Sequence, residues 1–546
     1  MKKVNSPDIE FIRPPLDDFL VKYNNLFGKI IRDNYSLKYL SSATLNRMEG
    51  QTHFYEYLEK YIQIKEKLTS NSIEAIHLEE ADLILFKPLN YIFPGRVFSS
   101  KRKIKNVYKF FPRLLRSFFL TQMKTLISIC FKKKKHYDFI IRTWFDFRNT
   151  GSRLREEYFG DIVDEIAKDY KILCVFDILS SKLKDHIDFI KIRNSSYFDT
   201  SLLESFLTPL TVTRAFWRYI NSRIIISKRI IYKNHDITEL INIFLKNDYY
   251  CLRGLIVFLE YEVALKMLYR KPKRILFPYE NQTWEKTYGL AKSIINSNTY
   301  LLGFQHSGFS YKLLQFFPSK PERELPIYPD KIVTMGEITK RVMIEKGNYP
   351  CKIVEGAAMR QAKHLINGKF EIKSKPIIKH NALAYAFSYE ISNYKAIVDT
   401  LINVFRESGI TIYLKFHPDF SEKTVQKILS RKLPEKFLPS TTMDWNLIYN
   451  SVDLILYNDN SLGIEGMING VKTIKLDIAE PIYNTDRFFY SSLDKNIVDE
   501  TGLIKIKNEL QNGTYDNQFH KDRISKYVNK YYNAYNKNEY LKVFTD

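Results

Sequence analysis

Cysteine is scarce: Cys130, Cys174, Cys251 and Cys351 are the four in 546 residues. Spacing this wide excludes a disulfide framework and any paired-cysteine zinc or redox motif, and it fits a reducing cytosol. The opening Met1-Lys-Lys-Val-Asn-Ser-Pro-Asp-Ile-Glu10 has no apolar run of signal-peptide length, so no export signal is expected there. Long apolar runs are missing too. Lys124 interrupts the longest well short of the ~20 residues that a membrane span needs. No short-period repeat is visible, which argues against a solenoid. The basic residues are spread along the chain without a helix-turn-helix or RNA-binding signature, so no nucleic acid partner is expected.

What is present describes a folded protein, with 45% hydrophobic and 15% aromatic residues. The length exceeds what one core supports and predicts two large lobes with additions. A formal charge of +23 asks for an anionic partner, either an acidic membrane surface or a phosphate-bearing substrate once nucleic acid is set aside.

Residues 1–136 read as a helical N-terminal extension, 137–320 as a first lobe, 321–515 as a second, and 516–546 as a C-terminal helix packing back. Within the extension, 101–135 is basic and apolar together, from Lys101-Arg-Lys-Ile-Lys105 through Phe110-Phe-Pro-Arg-Leu-Leu-Arg-Ser-Phe-Phe-Leu120 to Phe131-Lys-Lys-Lys-Lys135. Two readings stay open there: an amphipathic helix lying on anionic lipid, and a packed helix with a solvated basic face.

Strands and helices alternate from Tyr137 onward, which predicts parallel sheets built from βαβ units. In such sheets ligands lie outside the carboxyl ends of the strands, so the polar residues at strand ends are the candidate site. In the first lobe these are Asp146, Glu280 and His306. The Pro-rich passage Phe317–Pro326 reads as the linker. Beyond it stand Glu355 with Gly356, Arg360, and Ser388. The two sharpest breaks are Lys415-Phe-His417-Pro418 and Asn460-Ser461, the latter opening a helical pattern that carries Glu465.

None of these strand ends bears a DxD or a tight acidic triad suited to Mg²⁺ or Mn²⁺; Asp453 lies inside its strand and Asp459 stands alone. An anionic leaving group would then meet neutral or positive donors: the His417 imidazole, the Ser461 hydroxyl and main-chain N–H groups at the helix start, with Glu465 accepting from ribose hydroxyls. Transfer to a hydroxyl also needs a base or a nucleophile, for which Glu280 is the first candidate and Asp146 the second, while His306 either orients the acceptor or touches the donor's carboxylate. Arg360 is a candidate anion contact, and no metal or cofactor is expected.

Lys415-Phe-His-Pro418 followed by Asn460-Ser461-Leu-Gly-Ile-Glu465 resembles the HP and serine motifs of GT-B glycosyltransferases that assemble bacterial capsule and lipopolysaccharide, especially users of CMP-activated sialic acid or Kdo. Tyr279–Glu285, Gln305–Gly308 and Tyr328–Gly336 resemble segments of the same proteins. The resemblance covers about residues 137 to 480. It implies a GT-B-like α/β fold of two Rossmann-like lobes facing a cleft, with nucleotide contacts at Lys415, His417, Pro418, Asn460, Ser461, Glu465, Glu355, Gly356 and Ser388. It also implies a CMP-linked donor, a glycan or glycolipid acceptor, and a cytoplasmic setting at the inner membrane. Asn460 stands where a second hydroxyl is usual in that motif. Phosphotransferases using CDP-glycerol share the arrangement, so a CDP-polyol donor is the alternative, and a non-catalytic polyanion- or membrane-binding protein is a third reading.

Overall fold

The computed structural model describes residues 3–5, 18–78, 80–99, 109–131, 136–145, 156–178, 182–192, 198–365, 369–373, 380–388, 394–417, 420–430, 432–458, 460–476, 497–515, 521–534 and 536–545. Asp146, Pro418 and the lysine runs at 101–105 and 132–135 lie outside them.

The chain forms a small parallel sheet of β1 (Lys3–Asn5), β2 (Ala75–Leu78) and β3 (Val97–Ser99) before the first lobe. That lobe contains β4 (Phe139–Phe145), β5 (Ile172–Ile178) and β6 (Asp199–Leu202), a two-stranded ribbon of β7 (Ile231–Tyr232) and β8 (His235–Asp236), and then β9 (Arg274–Pro278), β10 (Tyr300–Phe304), β11 (Lys331–Thr334) and β12 (Lys352–Glu355). The second lobe contains β13 (Ala382–Ala386), β14 (Thr411–Lys415), β15 (Phe437–Ser440), β16 (Leu454–Tyr457), β17 (Lys472–Leu476) and β18 (Ile497–Val498).

Both large sheets are entirely parallel, and the central strands are apolar along nearly their whole length because helices cover both faces. The first sheet runs β12-β11-β10-β9-β4-β5-β6 and the second β15-β14-β13-β16-β17-β18. In each, the chain winds outward from an inner strand, returns beside it and winds the other way. The reversal falls between β4 and β9 in the first sheet and between β13 and β16 in the second. Such reversals open a crevice at the carboxyl edge, and this is where doubly wound sheets bind ligands. The two-lobe α/β architecture expected from the sequence is thus present.

Three boundaries differ from expectation. Strands β11 and β12 pair with the first sheet, Phe304 opposite Val333 and Thr334 opposite Glu355, so the first lobe continues to Glu355 rather than ending at 320. The passage read as a linker is anchored structure: Phe317 is inaccessible, and Ser319 opens a short 3-10 turn whose Glu322 meets Arg47 at 2.6 Å, both side chains fully buried. Nor do residues 1–136 form a separable helical extension. They hold the β1–β3 sheet, and Tyr23, Phe27 and Phe54 share one apolar core with Phe244 and Phe317 of the first lobe.

The C-terminus does pack back across the molecule. The helix Lys521–Tyr531 buries Ile524, Val528 and Tyr531 in the second lobe's core, while Phe544 of the helix Lys537–Thr545 enters the first lobe's. Between them Asn533 receives the Ala358 N–H, donates to the Met335 carbonyl and sends its amide to the Gly356 carbonyl. The outgoing and returning chain are therefore tied together. At Gly336 a Cβ would sit 2.2 Å from the Tyr531 carbonyl oxygen, so the glycine is there for space.

Candidate active site

Strand β9 ends at Pro278, and the chain turns sharply before the helix Lys286–Ile295. Asn281 takes a left-handed φ of 53°, which asparagine tolerates. The Glu280 N–H donates to both oxygens of Glu285 at 3.0 and 3.1 Å. Glu285 is buried, and burial together with Glu280 pushes its carboxyl well above the usual range, so it secures the turn. Glu280 is left reaching outward with its side chain 24% exposed.

Strand β10 lies beside β9 and delivers His306 and Ser307 to the same point. Ser307 Oγ donates to Glu280 Oε1 at 2.7 Å, Gln282 Nε2 donates to Oε2 at 2.5 Å, and His306 Nε2 stands 3.6 Å from Oε1. A carboxylate oxygen can accept more than one hydrogen bond, so these contacts orient Glu280 without saturating it. The His306 ring is buried against Tyr158 and Trp144, at 4.9 and 5.7 Å between centroids. Burial pulls its imidazole down to about 4, with Glu280 opposing the drop and Arg360 adding to it. His306 is accordingly neutral near pH 7, and it can accept or donate one hydrogen bond but does not supply a fixed charge.

Several residues that build this site carry no recognisable motif. Arg142 on β4 is fully buried, held by Glu260 at 3.0 Å and Asp177 at 2.9 Å. The Trp284 ring lies 3.7 Å from its guanidinium, and Trp284 Nε1 donates to Gln282 Oε1 at 3.0 Å. Thus a buried cation positions a tryptophan, which positions the glutamine that holds Glu280. Glu156 binds Thr143 Oγ1 and the N–H groups of Tyr158 and Phe159, fastening the segment that carries Tyr158. Burial raises its carboxyl to about 7 against the pull of those bonds. Arg360, the anion-contact candidate, lies 5.4 Å over the Tyr158 ring, which puts it beside the first lobe's cluster.

In the second lobe Ser388, Asn460 and Ser461 follow β13 and β16, the two strands flanking the reversal. Asn460 is committed: its Nδ2 donates to the Ala386 carbonyl at 2.7 Å and its Oδ1 accepts the Leu462 N–H at 3.1 Å. It straps the two strand ends together. Ser461 Oγ donates to Glu465 Oε1 at 3.3 Å, one turn along the helix Leu462–Ile468. That helix has seven residues, too few for its dipole to count for much, so an anion there would depend on side chains. The Ser388 carbonyl accepts the Tyr394 hydroxyl at 2.7 Å.

His417 follows β14, and β13 intervenes between β14 and β16. The two strands that carry His417 and Ser461 are therefore two spacings apart, about 10 Å at the sheet, with the end of β13 between them. Lys415 is not turned to the crevice. It is buried, burial pulls its pKa down, and its ammonium donates to the Thr441 carbonyl. Glu355 and Gly356 are likewise misplaced as nucleotide contacts: they end the edge strand of the first sheet, and Gly356 bonds to Thr334 and Asn533.

Replacing Asn460 with alanine is expected to cost about 1–3 kcal/mol, because it leaves two backbone groups without their partner. Urea unfolding of Asn460→Ala against the parent measures it.

No family model matches the chain, and no curated protein does. Among solved structures, it is similar to UDP-N-acetylglucosamine 2-epimerase from Rickettsia bellii at 13% identity, over 75% of this chain and 96% of that one, with a TM-score of 0.42. It is also similar to the lipopolysaccharide outer core galactosyltransferase WaaB at 11%, over 74% and 98%, TM-score 0.36, and to a glycosyltransferase from Rickettsia africae at 12%, over 75% and 97%, TM-score 0.39.

Proposed function

We propose that this chain is a glycosyltransferase that moves an acidic keto sugar, of the nonulosonate or Kdo type, from a CMP-activated donor to a hydroxyl of a glycan or glycolipid without a divalent ion. The reading rests on one observation above all. Each sheet places polar side chains at the point where its strand order reverses, a held carboxylate in the first lobe and a hydroxyl, an amide strap and a neighbouring imidazole in the second. The resemblance around Lys415–Pro418 and Asn460–Glu465 supports the choice of donor.

In the proposed reaction the acceptor hydroxyl loses its proton to Glu280 as its oxygen attacks the anomeric carbon. The bond from that carbon to the phosphate oxygen breaks, and CMP departs with the electron pair. His417 and Ser461 meet the charge that develops on the phosphate. Neutral His306 orients the acceptor, and Arg360 holds a carboxylate of donor or acceptor. The resemblance supports a cytoplasmic setting for the reaction.

A thermal-shift panel of CMP, UDP, CDP-glycerol and a long polyanion, run with and without EDTA, tests this. Stabilisation by CMP that EDTA leaves unchanged is the expected result. Stabilisation by CDP-glycerol alone would replace the sugar with a polyol phosphate, and a response confined to the polyanion would remove the enzyme.

A further inference from the structure

Two neighbouring helices of the first lobe leave an apolar face uncovered among the described residues. In Phe110–Ile127, Phe110, Leu114 and Thr125 are buried, and Phe118 packs edge-on against Phe216 of the helix Pro209–Ile220 at 5.1 Å. On the other side Phe111, Leu115, Phe119, Met123 and Leu126 are 66, 55, 63, 47 and 49% exposed. At about 100° per residue these five positions fall within a sector of roughly 120°, so they form one stripe along the helix. Exposed apolar residues scattered singly are ordinary; a continuous stripe marks a surface meant to be covered. The helix therefore presents an exposed apolar stripe in addition to the basic face allowed by the sequence.

The stripe continues onto the second helix. Gln122 donates to the Pro209 carbonyl at 3.1 Å and reaches Thr213 at 3.4 Å, and from the same side Leu210 and Trp217 project with 71 and 67% of their surface exposed.

Charge selects what covers it. The two helices, 18 and 12 residues long, contain no aspartate or glutamate, although the chain has 61. Lys109, Arg113, Arg116 and Arg214 are exposed beside the apolar residues. A second copy of the chain would set these cations against one another. An acidic lipid surface satisfies both features: its acyl boundary takes the phenylalanines and leucines, its headgroups take the cations, and tryptophan favours that depth. No helix among the described residues is long and apolar enough to cross a membrane, so the helix must lie along the surface.

We propose that Phe110–Ile127 and Pro209–Ile220 together dock this protein on an anionic membrane surface. The docking does not depend on the reaction assigned to the crevice, and the two fail or stand separately.

The test is flotation of the full chain with vesicles of phosphatidylcholine alone and with roughly one third phosphatidylglycerol. The expected result is at least about tenfold more protein on the anionic vesicles, falling in high salt as headgroup charge is screened. Phe111→Ser combined with Phe119→Ser should lower binding about tenfold, and Arg113→Glu combined with Arg116→Glu should abolish the preference for anionic lipid. All four side chains are exposed, so melting temperatures should stay at the parent value. Should a variant melt early, an environment-sensitive dye on Phe119→Cys provides the readout, with a blue shift on anionic vesicles expected. Equal binding to both vesicles, binding to neither, insensitivity to the substitutions, an unshifted dye, or a lipid-free dimer dispersed by Phe119→Ser would overturn the proposal.

Discussion

Glu280→Gln is expected to lower kcat roughly 10²–10⁴-fold, the range over which a positioned proton acceptor acts, while KM for the donor changes little. The effect should be chemical because an amide keeps the shape and its oxygen can still accept the Ser307 hydroxyl; the capacity to take a proton is lost, and with it the one bond from Gln282. Release of CMP from a CMP-linked keto sugar in the presence of acceptor provides the rate, and the melting temperature provides the fold control. Ser307→Ala, which removes one orienting hydrogen bond at 2.7 Å but leaves the carboxylate, should cost far less. Equal losses in the two variants would mean that Glu280 is a structural part of the turn, like Glu285, and that the base lies elsewhere.

Glu322→Ala should destabilise the protein by about 3–5 kcal/mol, since it leaves the fully buried Arg47 without its counter-charge. Lys286 is also affected: it lies 3.9 Å from Glu322, and burial has already brought its pKa down to about 8. The same pair predicts a dependence on acid. Burial alone would raise the Glu322 carboxyl, but Arg47, then Lys286 and the two Ser319 donors, more than reverse that and hold it below its ordinary value. Its contribution is present above the unfolded carboxyl's pKa of ~4.3 and is lost as pH falls through the lower folded value. Denaturant unfolding at neutral and acid pH, on parent and variant, should show the gap between them narrowing in acid. A gap that stays constant would mean that the loss comes from packing and not from the ion pair.

How much of this was legible beforehand depends on the range of the interaction. The strands β4, β5, β9 to β14, β16 and β17 announce themselves as short apolar runs ending in polar clusters, and the ligand-edge rule then points to Glu280, His306, Asn460 and Ser461. The end of the first lobe was misread because Pro318, Pro321 and the charged residues between Ser319 and Glu324 have the composition of a linker. Arg47, 275 positions earlier, anchors the segment through the buried Glu322, and local composition carries no trace of that distance. Glu355 and Gly356 went to the wrong lobe for the same reason. Lys415 looked like a phosphate contact because it precedes the histidine, but a side chain on a buried strand face goes where the pleat sends it, here to Thr441. Asn460 departed from the expected hydroxyl pair, and the strap it forms between β13 and β16 gives that departure a structural reason. The support behind Glu280, from Arg142 through Trp284 to Gln282, spans three separate segments and has no sequence signature.

Calorimetric titration of CMP into the parent chain, His417→Ala and Ser461→Ala tests the central claim most directly. The account predicts that CMP binds the parent without added metal and more tightly than UDP does. Each substitution should weaken it about tenfold, as expected for one lost hydrogen bond to a charged phosphate, with the folded state intact. Undiminished CMP affinity in both folded variants, or no affinity in the parent, would contradict it.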